Sequence, residues 1–388
     1  MKDKNPILSH DTAASTGDKK FIALASFVAA LGGLLFGFDT AIISGAIPYI
    51  RNYFQLDEYM LGFTVSSILV GCAIGALLAG NIANRYGRRL TLIVCALLFA
   101  LSGIGSGLAH ELSSFIAFRL LGGLGVGAAA MVSPMYIAEI APPKQRGRLV
   151  SFYQLAIVFG ILVAYFTNYI FDGAGANNWR WMFASQALPS LLFFLLLLLV
   201  PETPRWLVMK NKDHAARAIL QKISGAATAD KELEQMKNSF RDMEKSSAKT
   251  LFSKPYKTVL FIGILMAVFQ QVTGINAIIY YAPVIFRETG LDGASSLTQT
   301  IGIGVVNIIA TLIAIGLVDK LGRKKLLVAG SFLMMLALVG IGLCFQFHYF
   351  DHYFVLIFML LYVAAFGATL GAVVWVYLSE IFPNRIRS

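Results

Sequence analysis

The sequence has little charge. Of its 388 residues only 14% are Asp, Glu, Lys or Arg, whereas 57% are hydrophobic; soluble domains carry about 25% charged residues. That deficit excludes a soluble enzyme, a disordered chain and, despite a net charge of +11, a nucleic-acid binder. Cysteine is nearly absent. Cys72, Cys95 and Cys344 lie singly inside apolar runs, which excludes a disulfide framework and zinc-ligand spacing. Buried small apolar roles are expected for them. A Walker phosphate loop is missing too. The Gly-rich stretch 122–127 follows no strand and sits in an apolar run, so close helix packing is expected there rather than a nucleotide site. His348, Asp351 and His352 have metal-like spacing, but they fall in a short loop and read as a chance grouping. No metal, no cofactor and no enzymatic activity are expected.

What is present is a series of apolar runs, at about 21–50, 60–83, 90–109, 113–139, 149–171, 181–200, 257–286, 298–319, 326–347 and 353–382. Most can cross a hydrocarbon layer of ~30 Å as helices. Barrel strands would alternate in polarity over ~10 residues, which these do not. The first run exceeds a signal-peptide core and follows the Lys-bearing tail 1–20, so it reads as a first span. Placing the N-terminus in the cytoplasm puts nearly all Lys and Arg on that side; Arg51, Arg180 and Arg287 alone face outward, and Arg119 lies within a span. The expected organisation is a tail at 1–20, a six-helix bundle at 21–200, a cytoplasmic helical linker at 201–256 and a second bundle at 257–388. Charge runs usually face water, so the linker is expected to be solvated rather than a partner-docking site.

An internal repeat supports two halves. GNIANRYGRRLTLI (80–93) matches IGLVDKLGRKKLLV (315–328), and PMYIAEIAPPKQRGRL (134–149) matches WVYLSEIFPNRIRS (375–388). The second half has four spans where the first has six. It is therefore expected to be incomplete, about two spans short, and the 388-residue chain alone is expected not to transport. The repeated cations and carboxylates fit a cytoplasmic gate that latches the halves together. Its members would be Arg85, Gly87, Arg88, Arg89, Glu139 and Arg146, with Asp319, Gly322, Arg323, Glu380 and Arg385. Plain positive-inside anchoring is the simpler alternative.

These strings carry a resemblance, together with GGLLFGFDTAIISGA (32–46), FRLLGGLGVG (118–127), PETPRWL (201–207) and QQVTGINAIIYYAP (270–283). The chain resembles the sugar porter family of the major facilitator superfamily, which includes bacterial xylose–proton symporters and animal facilitative glucose transporters. The resemblance implies an all-α membrane protein of the major facilitator fold. It adds Glu202 and Arg205 to the gate. It implies a monosaccharide symporter, for hexoses or pentoses, working by alternating access in the cell membrane. The partners would be sugar, proton and lipid bilayer, with no nucleic acid, and the state a monomer. A uniporter of the same fold, or a non-transporting sensor or inactive fragment, is the alternative.

Asp39 lies mid-span, where a charge is expensive and functional by default. Counted from the outer ends, Asp39 is ~16 Å deep and Arg119 ~9 Å, a difference that an Arg side chain covers. Arg favours the ionised carboxylate and desolvation the protonated one, so a change in their contact would load or release a proton. A fixed buried ion pair is the plainer reading. The resemblance favours coupling: Asp39 matches the protonatable Asp of proton-coupled members, although Gln186 stands where the xylose symporters carry Glu. In the seventh run Gln270, Gln271, Asn276, Tyr280 and Tyr281 flank a helix break at Thr273-Gly274. Amides match vicinal sugar hydroxyls, and neighbouring helices would satisfy them equally; the resemblance favours the sugar. It also implies Gln154, Asn307 and Trp375 as pocket residues. Ile161 is similar to the glucose facilitators, and Ala372 replaces the usual Pro, so the sugar stays open among xylose, glucose, galactose and arabinose.

Overall fold

The computed structural model describes residues 17–143, 145–175, 177–244, 254–350, 352–374 and 377. Lys144, Asp351, Trp375, Glu380 and Arg385 lie outside them, as do the side chains of Asp319 and His352. Among the described residues there is no strand, and ten helical segments are long and apolar enough to cross a membrane. The chain is a multi-pass, all-helical membrane protein. Helix is the form the bilayer dictates, because each backbone N–H and C=O is then satisfied within its own segment.

The first half holds α1 (Lys19–Phe54), α2 (Glu58–Tyr86), α3 (Arg88–Leu108), α4 (Leu112–Ile140) and α5 (Arg146–Asp172). Its sixth span is broken into α6 (Asn178–Ala184) and α7 (Ala187–Leu199). The short helices α8 (Pro204–Met209), α9 (Asp213–Ser224) and α10 (Ala226–Glu244) follow. The second half holds α11 (Lys254–Val272) and α12 (Ile275–Glu288), which form one broken span, then α13 (Gly293–Leu321), α14 (Arg323–Gln346) and α15 (His352–Phe366). The last expected run is not one regular helix. It changes to a π-helical turn at Gly367–Gly371, and such turns are frequent at functional sites.

The repeat is visible in the backbone. Asp57 caps α2 by accepting from Met60 N, and Asp292 caps α13 by accepting from Ser295 N. Both helices run 29 residues, and both stop at a glycine of positive φ, Gly87 at 105° and Gly322 at 81°. With ψ near 155° this conformation is essentially reserved for glycine. The next residue is Arg in each half. Arg88 Nη1 donates to Ala83 O at 3.2 Å, and Arg323 Nη1 donates to Val318 O at 3.3 Å, five residues back in both cases.

Helices in lipid gain little from the hydrophobic effect and associate through close packing of small residues. α1 lies against α4 and α5, and α2 against α4. A Cβ on Gly37 would stand 1.9 Å from Ile157 O, and one on Gly160 would stand 2.0 Å from Leu34 O, so α1 and α5 touch backbone to backbone. The halves meet where α12 packs on α1 and α13 on α5. One apolar core crosses that junction, from Ile42 and Ile47 to Ile278 and Phe286.

The linker departs from expectation. α8 packs on α4, and α9 on α1. Leu207, Val208, Ala216, Ile219 and Ile223 join the core of the first half. These residues form an apolar stripe at helical spacing, which the high overall charge of the segment conceals. Asp18 N also donates to Lys222 O at 2.7 Å, tying the start of α1 to α9. The segment to Glu244 is therefore docked on the first half through one apolar face, while charged residues such as Arg217, Asp230 and Lys237 stay exposed to solvent.

Candidate functional site

Asp39 on α1 and Arg119 on α4 meet in the interior of the first half. Arg119 Nη1 donates to Asp39 Oδ1 at 2.5 Å, and both side chains are fully buried. The Arg119 guanidinium also stands 5.5 Å from the Phe183 ring centroid, a cation–π distance. Asp39 Oδ2 and Arg119 Nε and Nη2 have no partner. Gln186, the departure from the xylose-symporter pattern, lies in the break between α6 and α7; its buried amide stands beside the Asp39 carboxylate without closing to a hydrogen bond of full geometry. A buried pair with spare donors and acceptors is poised for rearrangement, because neither partner is locked by a full hydrogen-bond shell.

The residues expected at the sugar site occupy α5, α11, α12 and α13. Gln270 is buried, and its Nε2 donates to Leu370 O in the π turn at 2.8 Å. Asn276 Nδ2 donates to Gln271 Oε1 at 2.9 Å across the helix break, where Gly274 has a φ of 90°. Tyr280 and Asn307 are buried and Gln154 is half-buried. Two tyrosines not singled out above hold the broken span. Tyr362 OH donates to Thr273 O at 2.7 Å, at the break itself. Tyr165 OH donates to Ile279 O at 3.1 Å. Pro283 has no N–H to offer the carbonyl four residues back, which is that of Ile279. Tyr165, from the other half, fills the vacancy. The signal existed: a proline and a break free carbonyls that must be satisfied in a membrane.

At the face carrying α8–α10 the charge motifs form a lattice. Glu202 accepts from the backbone N–H of Arg88 at 3.1 Å, Arg89 at 3.0 Å and Thr203 at 2.9 Å. It therefore caps the N-terminus of α3, where anions are favoured. Gly87 makes room: a Cβ there would lie 2.2 Å from Glu202 Oε2. Glu139 accepts from Arg88 Nη2 at 3.0 Å and from Thr203 Oγ1 at 2.5 Å. Arg89 donates to Leu197 O and Leu198 O, both at 2.9 Å, and so caps α7. Arg85 stands 5.2 Å from the Tyr86 ring and Arg205 5.6 Å from that of Phe240, while Arg146 lines a groove with Glu139 and Glu232. All these contacts join parts of the first half and its docked helices to one another. The expected latch between halves also needs Asp319, Glu380 and Arg385, whose side chains lie outside the described residues. Glu202 caps α3, because three N–H groups of its own half face it.

Burial pushes the Glu202 carboxyl above its ordinary range, against the pull of those N–H groups and Arg88. Glu202→Gln puts an NH2 group where an acceptor is needed. It should destabilise the purified protein by about 1–3 kcal/mol, read as a lower melting temperature in detergent.

Comparison with known proteins places this geometry. A family model described as "Sugar (and other) transporter" matches residues 25–388. The arabinose-proton symporter of Bacillus subtilis is 42% identical over 374 residues, covering 95% of this chain and 81% of that protein. The D-xylose-proton symporter of Escherichia coli is 41% identical over 403 residues, covering 96% and 82%. The major facilitator proton:xylose symporter XylE, solved with 6-bromo-6-deoxy-D-glucose bound, superposes with a TM-score of 0.84 at 42% identity, covering 95% of this chain and 84% of that one. Its partially occluded inward-open form also gives 0.84, at 40% identity with 93% and 87% coverage. With sequence and fold agreeing along nearly the whole length, the chain belongs to the sugar transporter family of the major facilitator superfamily.

Proposed function

We propose that this protein is a proton-coupled monosaccharide symporter working by alternating access. The observation that carries the reading is the fully buried Asp39–Arg119 pair with one carboxylate oxygen left free, in a chain whose relatives are named arabinose-proton and D-xylose-proton symporters. Ionised Asp39 holds Arg119. A proton on Asp39 removes the charge that holds it and frees the guanidinium to move with the helices around it. The proton then biases which arrangement of the halves is stable, and the sugar biases the same equilibrium.

The sugar would lie between the halves, against Gln154, Gln270, Gln271, Asn276, Tyr280, Asn307 and Trp375. The breaks in the seventh span and the π turn beside Gln270 support that placement. We take 1–20 as tail, 21–200 as first bundle, 201–256 as linker and 257–388 as second bundle. The basic face with α8–α10 would be cytoplasmic and the N-terminus with it, in the cell membrane of a monomer.

Proteoliposomes in weakly buffered medium test this reading. Sugar entering downhill should alkalinise the outside, and counterflow with competing unlabelled sugars identifies the substrate. Sugar flux without a pH change would instead make the protein a uniporter, and sugar binding without flux would make it a sensor or an inactive fragment.

A further inference from the structure

Many hydroxyls inside the spans bond back to their own helix: Thr40 to Phe36 O, Ser44 to Ala41 O, Ser67 to Thr64 O and Ser190 to Gln186 O. Ser102 and Ser106 on α3 do not. Both are buried, they stand one helical turn apart, and each Oγ lacks a partner. They belong to a larger group of buried atoms that close no hydrogen bond of full geometry: Asp39 Oδ2, Arg119 Nε and Nη2, and both ends of the Gln186 amide. Two glycines bring the group together. A Cβ on Gly122 would lie 2.3 Å from Ser102 Oγ and 3.0 Å from Asp39 Oδ2, and one on Gly103 would lie 2.9 Å from Gln186 Cβ. Thus α1, α3, α4 and the α6–α7 break converge on one polar spot inside an otherwise apolar bundle. Asp39 and Arg119 are its charged members.

Buried polar groups in native proteins have partners, and ordered water supplies them where protein does not. This spot has the two to four donors and acceptors that a water needs. Ser102 and Gln186 flank Asp39, and Ser106 stands one turn farther along α3 toward its end at Leu108. Beyond it, at the same ends of α4 and α6, the Phe115 ring packs edge to face with those of Phe183 and Trp179, with centroids 5.2 Å and 6.0 Å apart. Trp179 Nε1 is itself buried and unpaired.

We propose that Ser102, Ser106 and Gln186 hold a short file of water that carries the proton between the outer face and Asp39, within the first half and apart from the route of the sugar. The inference rests on the proton-coupling reading above. In each hop a hydroxyl or water accepts one proton and passes on another, so every carrier ends neutral and only Asp39 changes charge. Gln186 moves no proton; its carbonyl accepts from, and its NH2 donates to, the water beside the carboxylate. Gln186 is therefore a positioning residue, and the two serines are relay residues.

The test compares proton-coupled sugar uptake with sugar exchange, which needs no net proton transfer, in the same proteoliposomes. Ser102→Ala and Ser106→Ala should lower coupled uptake roughly fivefold or more relative to exchange, and Ser102→Thr, which keeps a hydroxyl, should restore it. Equal loss of both activities would mean the serines only pack, and unchanged coupling in the Ala variants would mean the proton takes another way; either overturns the proposal. If the wild type moves no protons, the coupling reading itself fails, which is a separate result. A crystal structure of the wild type that resolves waters gives an answer independent of variant folding. Water bonded to Ser102 Oγ and Asp39 Oδ2 is expected, and a dry contact would overturn the proposal.

Discussion

Asp39→Asn should abolish accumulation of sugar against a gradient while leaving exchange measurable. Asn matches the carboxylate in shape and keeps an oxygen for Arg119, but it takes up no proton near neutral pH. The equilibrium between the two arrangements then no longer responds to the proton gradient, and uptake falls to the downhill level, a drop of roughly tenfold or more. Exchange should weaken for a separate reason. Arg119 is fully buried, and removing the charge of its partner leaves a cation without compensation, an effect of about 3–5 kcal/mol on stability. Monodispersity on size exclusion therefore has to accompany the transport assay. Uphill accumulation by a well-folded Asn variant would remove Asp39 from the coupling.

Gly160→Ala should be among the most damaging single-methyl changes in the protein. The added carbon would stand 2.0 Å from Leu34 O and 2.9 Å from Leu34 C. Those are backbone atoms of α1 and have no rotamer to yield. The contact is reciprocal at Gly37, two residues from Asp39, so prying α1 from α5 also shifts the carboxylate. Overpacking of a fitted core costs about 1–3 kcal/mol, and lost contact along both helices adds to it. Gly80→Ala is the matched control. It is also a helical glycine, but no described atom lies within 4 Å of its Cβ site. There the alanine should be neutral, or stabilising by about 0.5–1 kcal/mol through helix propensity. Melting temperature and size-exclusion profile in detergent separate the two. A Gly160→Ala protein that melts with the wild type would mean that α1 and α5 do not touch backbone to backbone.

The sequence revealed most where the physics is local. The run 21–50 became the apolar part of Lys19–Phe54 because hydropathy over a span is a property of that span alone. The Gly87 and Gly322 turns were legible because positive φ leaves one residue type as the natural choice. The depth of Asp39 and Arg119 could be counted, and the structure brings the two side chains together. Other features depend on how helices are rotated against one another, which no single-helix pattern encodes. Ser102 and Ser106 look like ordinary small residues of a span until Gly122 and Gln186 are placed beside them. Glu202 enters the gate through the resemblance alone, and its partners are backbone N–H groups, which have no identity in sequence. The Gln270 amide donates to a carbonyl that the π turn presents. That turn leaves no periodic mark in an otherwise uniform apolar run.

The capping of α3 by Glu202 has a mechanical consequence. Together with Trp206 Nε1, which donates to Asn84 O at 3.1 Å, and the apolar stripe of α9, it makes α8–α10 a rigid handle on one half of the machine. A pull on any of these three helices therefore loads the whole first bundle rather than a single span, so the polar segment between the two sets of spans moves as part of the first.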